Sequence, residues 1–83
     1  GPILVTGYTD SGPLPAKLRE YYPSNWEYAA ARAGAVARAL IAWGVTPSRV
    51  TLQSVGDRRP VGPNTTAAGR SSNRRVEIAV LSR

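Results

Sequence analysis

The stretch from Ala29 to Ala42 constrains this chain most: alanine stands at 29, 30, 31, 33, 35, 37, 39 and 42, with no proline among them. Alanine loses the least on entering a helix, so this is the strongest helical segment in the sequence. Ser24 or Asn25 offers a side-chain oxygen to the first free N–H groups, and Glu27 stands in the first turn, where the helix dipole favours an acid. Gly44 supplies the left-handed residue that ends a helix, and Pro47 confirms the stop. Trp26, Ala29, Ala33, Val36, Leu40 and Trp43 recur at three- and four-residue steps and make one apolar stripe. Such a stripe has to be buried, and the remaining apolar segments read as strands, so its partner is a sheet.

Three segments supply that sheet. Ile3–Tyr8 is short, apolar and rich in β-branched residues; it reads as a buried strand that expects cover on both faces. Arg49–Val55 alternates in polarity and reads as a second strand. From Arg74 to Leu81, Val76, Ile78 and Val80 fall on one face, and Arg75, Glu77, Ala79 and Leu81 on the other. Gly12, Pro13, Pro15 and Pro23 make residues 9–24 a loop with room for one helical turn in 16–22. Gly56, Pro60, Gly62, Pro63, Asn64 and Gly69 mark 56–72 as a second loop. The order is β–loop–α–β–loop–β: one α+β domain over residues 1–83, a two-layer sandwich of a mixed sheet with a helix on one face.

Composition removes several kinds of chemistry. The chain has no cysteine and no histidine, so disulfides, thiolate metal sites and histidine-based nucleophilic catalysis are excluded. No metal or other cofactor is expected. No apolar stretch approaches the roughly 20 residues that span a bilayer, so any membrane attachment lies in segments outside this sequence. Charge is uneven. In residues 1–48, Lys17, Arg19, Arg32 and Arg38 oppose Asp10, Glu20 and Glu27, a net +1; in 49–83, Arg49, Arg58, Arg59, Arg70, Arg74, Arg75 and Arg83 oppose Asp57 and Glu77, a net +5. A basic second half raises nucleic acid as a partner. Both tryptophans fall in the helix and leave the strands without a stacking platform, which ranks that reading second.

Two candidate groups face each other across the first loop. Thr6-Gly7-Tyr8-Thr9-Asp10 closes the first strand and ends on a carboxylate. An aspartate at that place commonly makes only a local turn with its own backbone. Asn25 and Arg32 are seven residues apart, about two helical turns and nearly the same face. An acid and a guanidinium on separate rigid elements can grip a zwitterion, the acid taking an ammonium and the guanidinium a carboxylate. Gly69-Arg70-Ser71-Ser72-Asn73-Arg74-Arg75-Val76-Glu77-Ile78 adds a third segment. Alternation puts Arg74 and Arg75 on opposite faces, one toward a ligand or an acid and the other toward solvent.

These three segments, in this order, resemble the OmpA-like C-terminal domain that binds bacterial peptidoglycan. That pattern runs G-[HY]-T-D, then N-x-x-L-S-x-x-R-A, then N-x-T-x-x-G-R-x-x-N-R-R-V-E, and it covers Val5 to about Leu81 of this chain. Tyr28-Ala29 stand where the pattern has Leu-Ser. Pro23-Ser24-Asn25-Trp26-Glu27 and the long proline-rich loop are similar to the subgroup of flagellar stator B subunits and type VI secretion components. The resemblance implies a non-catalytic domain in the periplasm or cell envelope that anchors a complex to the wall. It implies that Asp10 takes the ammonium, and Arg32 the carboxylate, of diaminopimelate in the peptide stem. Thr9, Asn25 and Arg74 are expected beside them. The family also has a strand and a helix ahead of the segment that matches Ile3, and this sequence lacks them. The sequence therefore predicts an open sheet edge and an apolar patch, with the chain either dimeric or completed by a further segment.

Overall fold

The computed structural model describes residues 1–82. Strand β1 (Ile3–Tyr8) leads through a short helix α1 (Ala16–Arg19) into the long helix α2 (Asn25–Ala42). A 3-10 turn at Pro47–Arg49 precedes β2 (Val50–Gly56), and α3 (Ala67–Asn73) precedes β3 (Arg75–Val80). The sheet order is β2-β1-β3, with β1 parallel to β2 and antiparallel to β3. This is the expected mixed sheet with a helical layer, an α+β fold.

Helix α2 starts where its sequence signals place it. Ser24 is the N-cap; its hydroxyl oxygen accepts from the Trp26 N–H at 3.2 Å, and the hydroxyl donates to Glu27. That hydrogen bond first, and backbone N–H groups after it, hold the Glu27 carboxyl below its ordinary range. The cap contributes fully above the carboxyl's unfolded value and is lost as pH falls through the folded one. Gly44 ends the helix with φ of 109°, a conformation that glycine adopts without strain.

The inner face of α2 differs from the expected stripe in one respect. Ala29, Ala33 and Ala37 are its buried residues, while Trp26 is 42% and Trp43 84% exposed. Small side chains let the helix come down close on β1: a Cβ on Gly7 would fall deep inside the carbonyl of Ala29. Trp26 lies at the sheet's end with its ring beside Gly56 of β2, and Trp43, at the C-cap, is in solvent. Ile3, Val5 and Ala33 form the core, with Val36, Leu40, Val45, Val50 and Val76 packed around it.

Pairing register fixes the two faces of the sheet. Ile3, Val5 and Gly7 pair with Val80, Ile78 and Val76 on one side and with Val50, Leu52 and Ser54 on the other, all toward α2. The opposite face carries Thr6 and Tyr8 of β1, Gln53 of β2 and Arg75 and Glu77 of β3. Contrary to the expectation of cover on both faces of β1, no helix or strand among the described residues lies over this side. Side chains close it instead: Gln53 donates to the Thr6 hydroxyl at 3.1 Å, and the Arg75 guanidinium stacks on the Tyr8 ring at 3.7 Å. Arg75, expected in solvent, is held there by Glu77 at 2.5 Å. On the helix side α2 covers β1 and β2 and scarcely reaches β3, so Ile78 and Val80 stay half or more exposed. Among the described residues both β2 and β3 are edge strands, and Ile78 and Val80 make an exposed apolar strip along β3.

The second loop holds a helix that its local sequence does not announce. Thr66 caps α3 by accepting from Gly69 N–H at 3.0 Å. Gly69 lies so close to Pro63 that a side chain there would strike its backbone.

Candidate functional site

The carboxyl ends of β1 and β2 build the site. A bulge between Gly7 and Tyr8 shifts the β1–β2 register, so Tyr8 pairs with Gly56. Gly56 takes φ of 63°, and its carbonyl accepts from the Thr9 N–H at 2.8 Å. Thr9 and Asp10 are thereby fixed just beyond the sheet.

Asp10 makes the local turn that its position suggested: one carboxylate oxygen accepts from the Gly12 N–H at 2.8 Å. The other oxygen does more. It accepts from Arg74 Nη1 at 2.6 Å, joining the end of β1 to the residue between α3 and β3. Asn25, at the start of α2, donates to the Gly12 carbonyl at 3.0 Å and to the Asp10 carbonyl at 3.4 Å, which pins the loop to the helix.

These residues open onto a cavity of about 310 Å³, lined by Thr9, Asp10, Gly12, Pro13, Leu14, Pro15, Leu18, Asn25, Tyr28 and Arg74. Its wall is mostly apolar, with polar groups at one end: the Asp10 carboxylate, the Asn25 amide and the Arg74 guanidinium. The Thr9 hydroxyl oxygen is buried and has no hydrogen-bond partner. A buried hydroxyl without a partner carries a desolvation cost that a ligand in the cavity could remove.

Four of the five residues singled out in the sequence thus meet at one cavity: Thr9, Asp10, Asn25 and Arg74. Arg32 stands apart from it. Its guanidinium lies 5.9 Å from the ring centre of Tyr28, one turn back on α2; Tyr28 lines the cavity and Arg32 does not. The seven-residue spacing from Asn25 gave the right face but carried Arg32 two turns along the axis.

Three contributors were not singled out as site residues from the sequence. Leu14, just ahead of α1, and Leu18 on it enter the wall, with Arg19 donating to the Leu14 carbonyl at 2.6 Å. Tyr28, visible in the sequence only as a departure from a leucine, faces the cavity and meets Tyr22 edge-on at 5.3 Å. Behind the Arg74 side lies a polar knot. Fully buried Asn73 accepts from Val61 N–H at 2.8 Å and Gly62 N–H at 3.0 Å, and donates to the Gly62 carbonyl at 3.0 Å and Asn64 Oδ1 at 2.9 Å. Asn64 Oδ1 also accepts from Ser11 N–H at 3.2 Å, tying the Asp10 loop to the α3 side. Asn73 was visible as a motif residue, and its burial is the signal that gives it this role.

Among the described residues no group of acids is placed to hold a metal ion, and no helix is long and apolar enough to cross a membrane.

With this geometry in view, the chain compares closely with known proteins. It is 40% identical over 76 residues to motility protein B of Helicobacter pylori, covering 92% of this chain and 28% of that protein. The solved C-terminal domain of that protein superposes with a TM-score of 0.86 at 38% identity, covering 94% of this chain and 57% of that one. The cell wall anchor of the T6SS from Pseudomonas aeruginosa gives a TM-score of 0.86 at 44% identity, over 100% of this chain and 56% of that one. The peptidoglycan-binding protein ArfA of Mycobacterium bovis is 35% identical over 78 residues, covering 94% of this chain and 22% of that protein. The chain spans well under a third of these two curated relatives. The OmpA family model matches residues 1–74. Both subgroups suggested by the Ser24–Glu27 segment are represented, and the chain belongs to the OmpA family.

Proposed function

We propose that this chain is a non-catalytic anchor that holds a bacterial envelope complex to peptidoglycan by gripping the diaminopimelate of the peptide stem. The observation that carries this reading is Asp10. Its side chain is only 14% exposed, on a mostly apolar cavity, and the adjacent Thr9 carries an unpartnered hydroxyl. A carboxylate so shielded is a strong site for an ammonium, because solvent competes weakly there. Asn25 holds the loop, and the apolar wall of Leu14, Leu18 and Tyr28 suits the aliphatic part of the amino acid. Arg32, beside the Tyr28 ring, and Arg74, on the cavity, are the two cations that a ligand carboxylate can reach.

The names of the relatives support the same role, since one is a cell wall anchor and another a peptidoglycan-binding protein. The domain acts on the periplasmic side of the envelope, as the wall-gripping part of a stator, a secretion complex or another wall-bound protein.

Pelleting with insoluble peptidoglycan tests this directly. The protein should co-sediment with diaminopimelate-type wall at least about tenfold more tightly than with lysine-type wall. The lysine stem keeps the amine and lacks the carboxylate, leaving a cation of the site unpaired. Failure to co-sediment with either wall would remove the reading.

A further inference from the structure

The acid assigned to the ligand's ammonium is already occupied. Asp10 Oδ2 is held by Arg74 Nη1 at 2.6 Å, and Oδ1 is held by the backbone of Gly12. Any incoming ammonium therefore has to displace a cation that belongs to the protein. We infer that Arg74 is a displaceable partner of Asp10, and that this exchange makes the site selective for ligands carrying an ammonium and a carboxylate on the same carbon. The inference rests on the proposed peptidoglycan reading and deepens it.

The two halves of the pair are unequal in a way that permits exchange. The Asp10 side chain is 14% exposed and the Arg74 side chain 47% exposed. Arg74 can leave Asp10 and remain hydrated, whereas Asp10 is left without a counter-charge and needs a cation. The turn to Gly12 uses the other carboxylate oxygen, so the loop keeps its shape when Arg74 moves. Among the described residues Arg74 makes no other ion pair and its side chain donates to no other group, so nothing else restrains its guanidinium.

The chemistry of the incoming group then decides the outcome. A plain amine takes Asp10 and leaves Arg74 with water alone; one ion pair replaces another and little is gained. A zwitterionic centre takes Asp10 with its ammonium and presents its carboxylate to the guanidinium just released. One ion pair becomes two, on atoms the ligand itself holds together. The internal pair thus penalises simple amines and is neutral toward amino-acid centres, a form of specificity that works by competition. Arg32 is not paired with Asp10 and takes no part in this exchange; Arg74 adds a second cation for the carboxylate.

The test compares wild type, Arg74→Gln and Arg74→Lys by calorimetric titration with two soluble muropeptides, identical except for diaminopimelate or lysine at the stem. Removing the internal competitor should strengthen lysine-stem binding about tenfold, while diaminopimelate-stem binding, which loses a competitor and a carboxylate partner together, should stay within about threefold of wild type. The preference between the two should fall about tenfold. Arg74→Lys keeps a cation beside Asp10 and should retain most of the preference. A purely structural role for Arg74 would weaken both ligands together, and that result overturns the inference alone. Absence of binding of either muropeptide to the wild type overturns the site reading and this inference with it.

Discussion

Gly7→Ala should cost this domain at least about 3 kcal/mol and lower its melting temperature by about 12 °C or more. The added Cβ would lie inside contact distance of the Ala29 carbonyl oxygen, its carbon at 2.7 Å and its Cα at 3.2 Å. All of these are backbone atoms, so no change of rotamer gives relief. Helix α2 would have to lift from β1, and the Ile3, Val5 and Ala33 core would open with it. A domain of this size has only about 4–12 kcal/mol in total, so the loss is a large fraction. Gly34→Ala is the matched control: its Cβ meets only Arg38 Nη1, at 3.9 Å. In a helix interior that exchange should stabilise by up to about 1 kcal/mol. Thermal melts of the two variants check the pair. Equal melting temperatures would show that the close approach of α2 to β1 is not what holds the layers.

Asn73→Ala should cost about 3 kcal/mol, read by urea unfolding, because each unsatisfied buried group costs about 1–3 kcal/mol when water cannot reach it. The side chain is completely buried and makes four hydrogen bonds, to Val61, to Gly62 twice and to Asn64. Truncation leaves these groups without a partner. Val61 lies near the surface, so part of that loss would be recovered by hydration. Asn64 would be released as well, and with it the link from Ser11 to the α3 side. A variant as stable as wild type would show that the 61–64 loop holds its shape by itself.

The fold was legible where local pattern and tertiary role agree. The alanines of α2 carry both helix propensity and the close packing on β1, so one signal served for both. The alternation of β3 placed Val76, Ile78 and Val80 on the helix side, as the register confirms. The tryptophan ends of the stripe stay partly or largely exposed because periodicity reports which face a residue occupies and not how fully it is covered. Helix α3 is hidden because Gly69 and the threonines read locally as loop. Its reasons are tertiary: the Thr66 cap, the contact of Gly69 with Pro63, and the burial of Asn73.

The site divides in the same way. Thr9, Asp10, Asn25 and Arg74 were found through the motif, and they line one cavity. The motif could not show that Asp10 and Arg74 are paired with each other, since they are 64 residues apart in sequence. Nor could it show that Tyr28, rather than Arg32, lines the cavity. The apolar wall from α1 was hidden by flanking prolines, which mark a loop without saying what the loop encloses.

The central claim is that the Asp10 carboxylate binds the ammonium of the stem amino acid, and one titration tests it most directly. Wild type and Asp10→Asn are titrated calorimetrically with a soluble diaminopimelate-type muropeptide, alongside a thermal melt of each. Asparagine retains an oxygen for the turn with Gly12, so the loop survives and only the charge is lost. Binding should weaken by about 2–3 kcal/mol, roughly thirty- to a hundred-and-fifty-fold, with the melting temperature changed by only a few degrees. Equal affinity of the two proteins for the muropeptide would contradict the assignment.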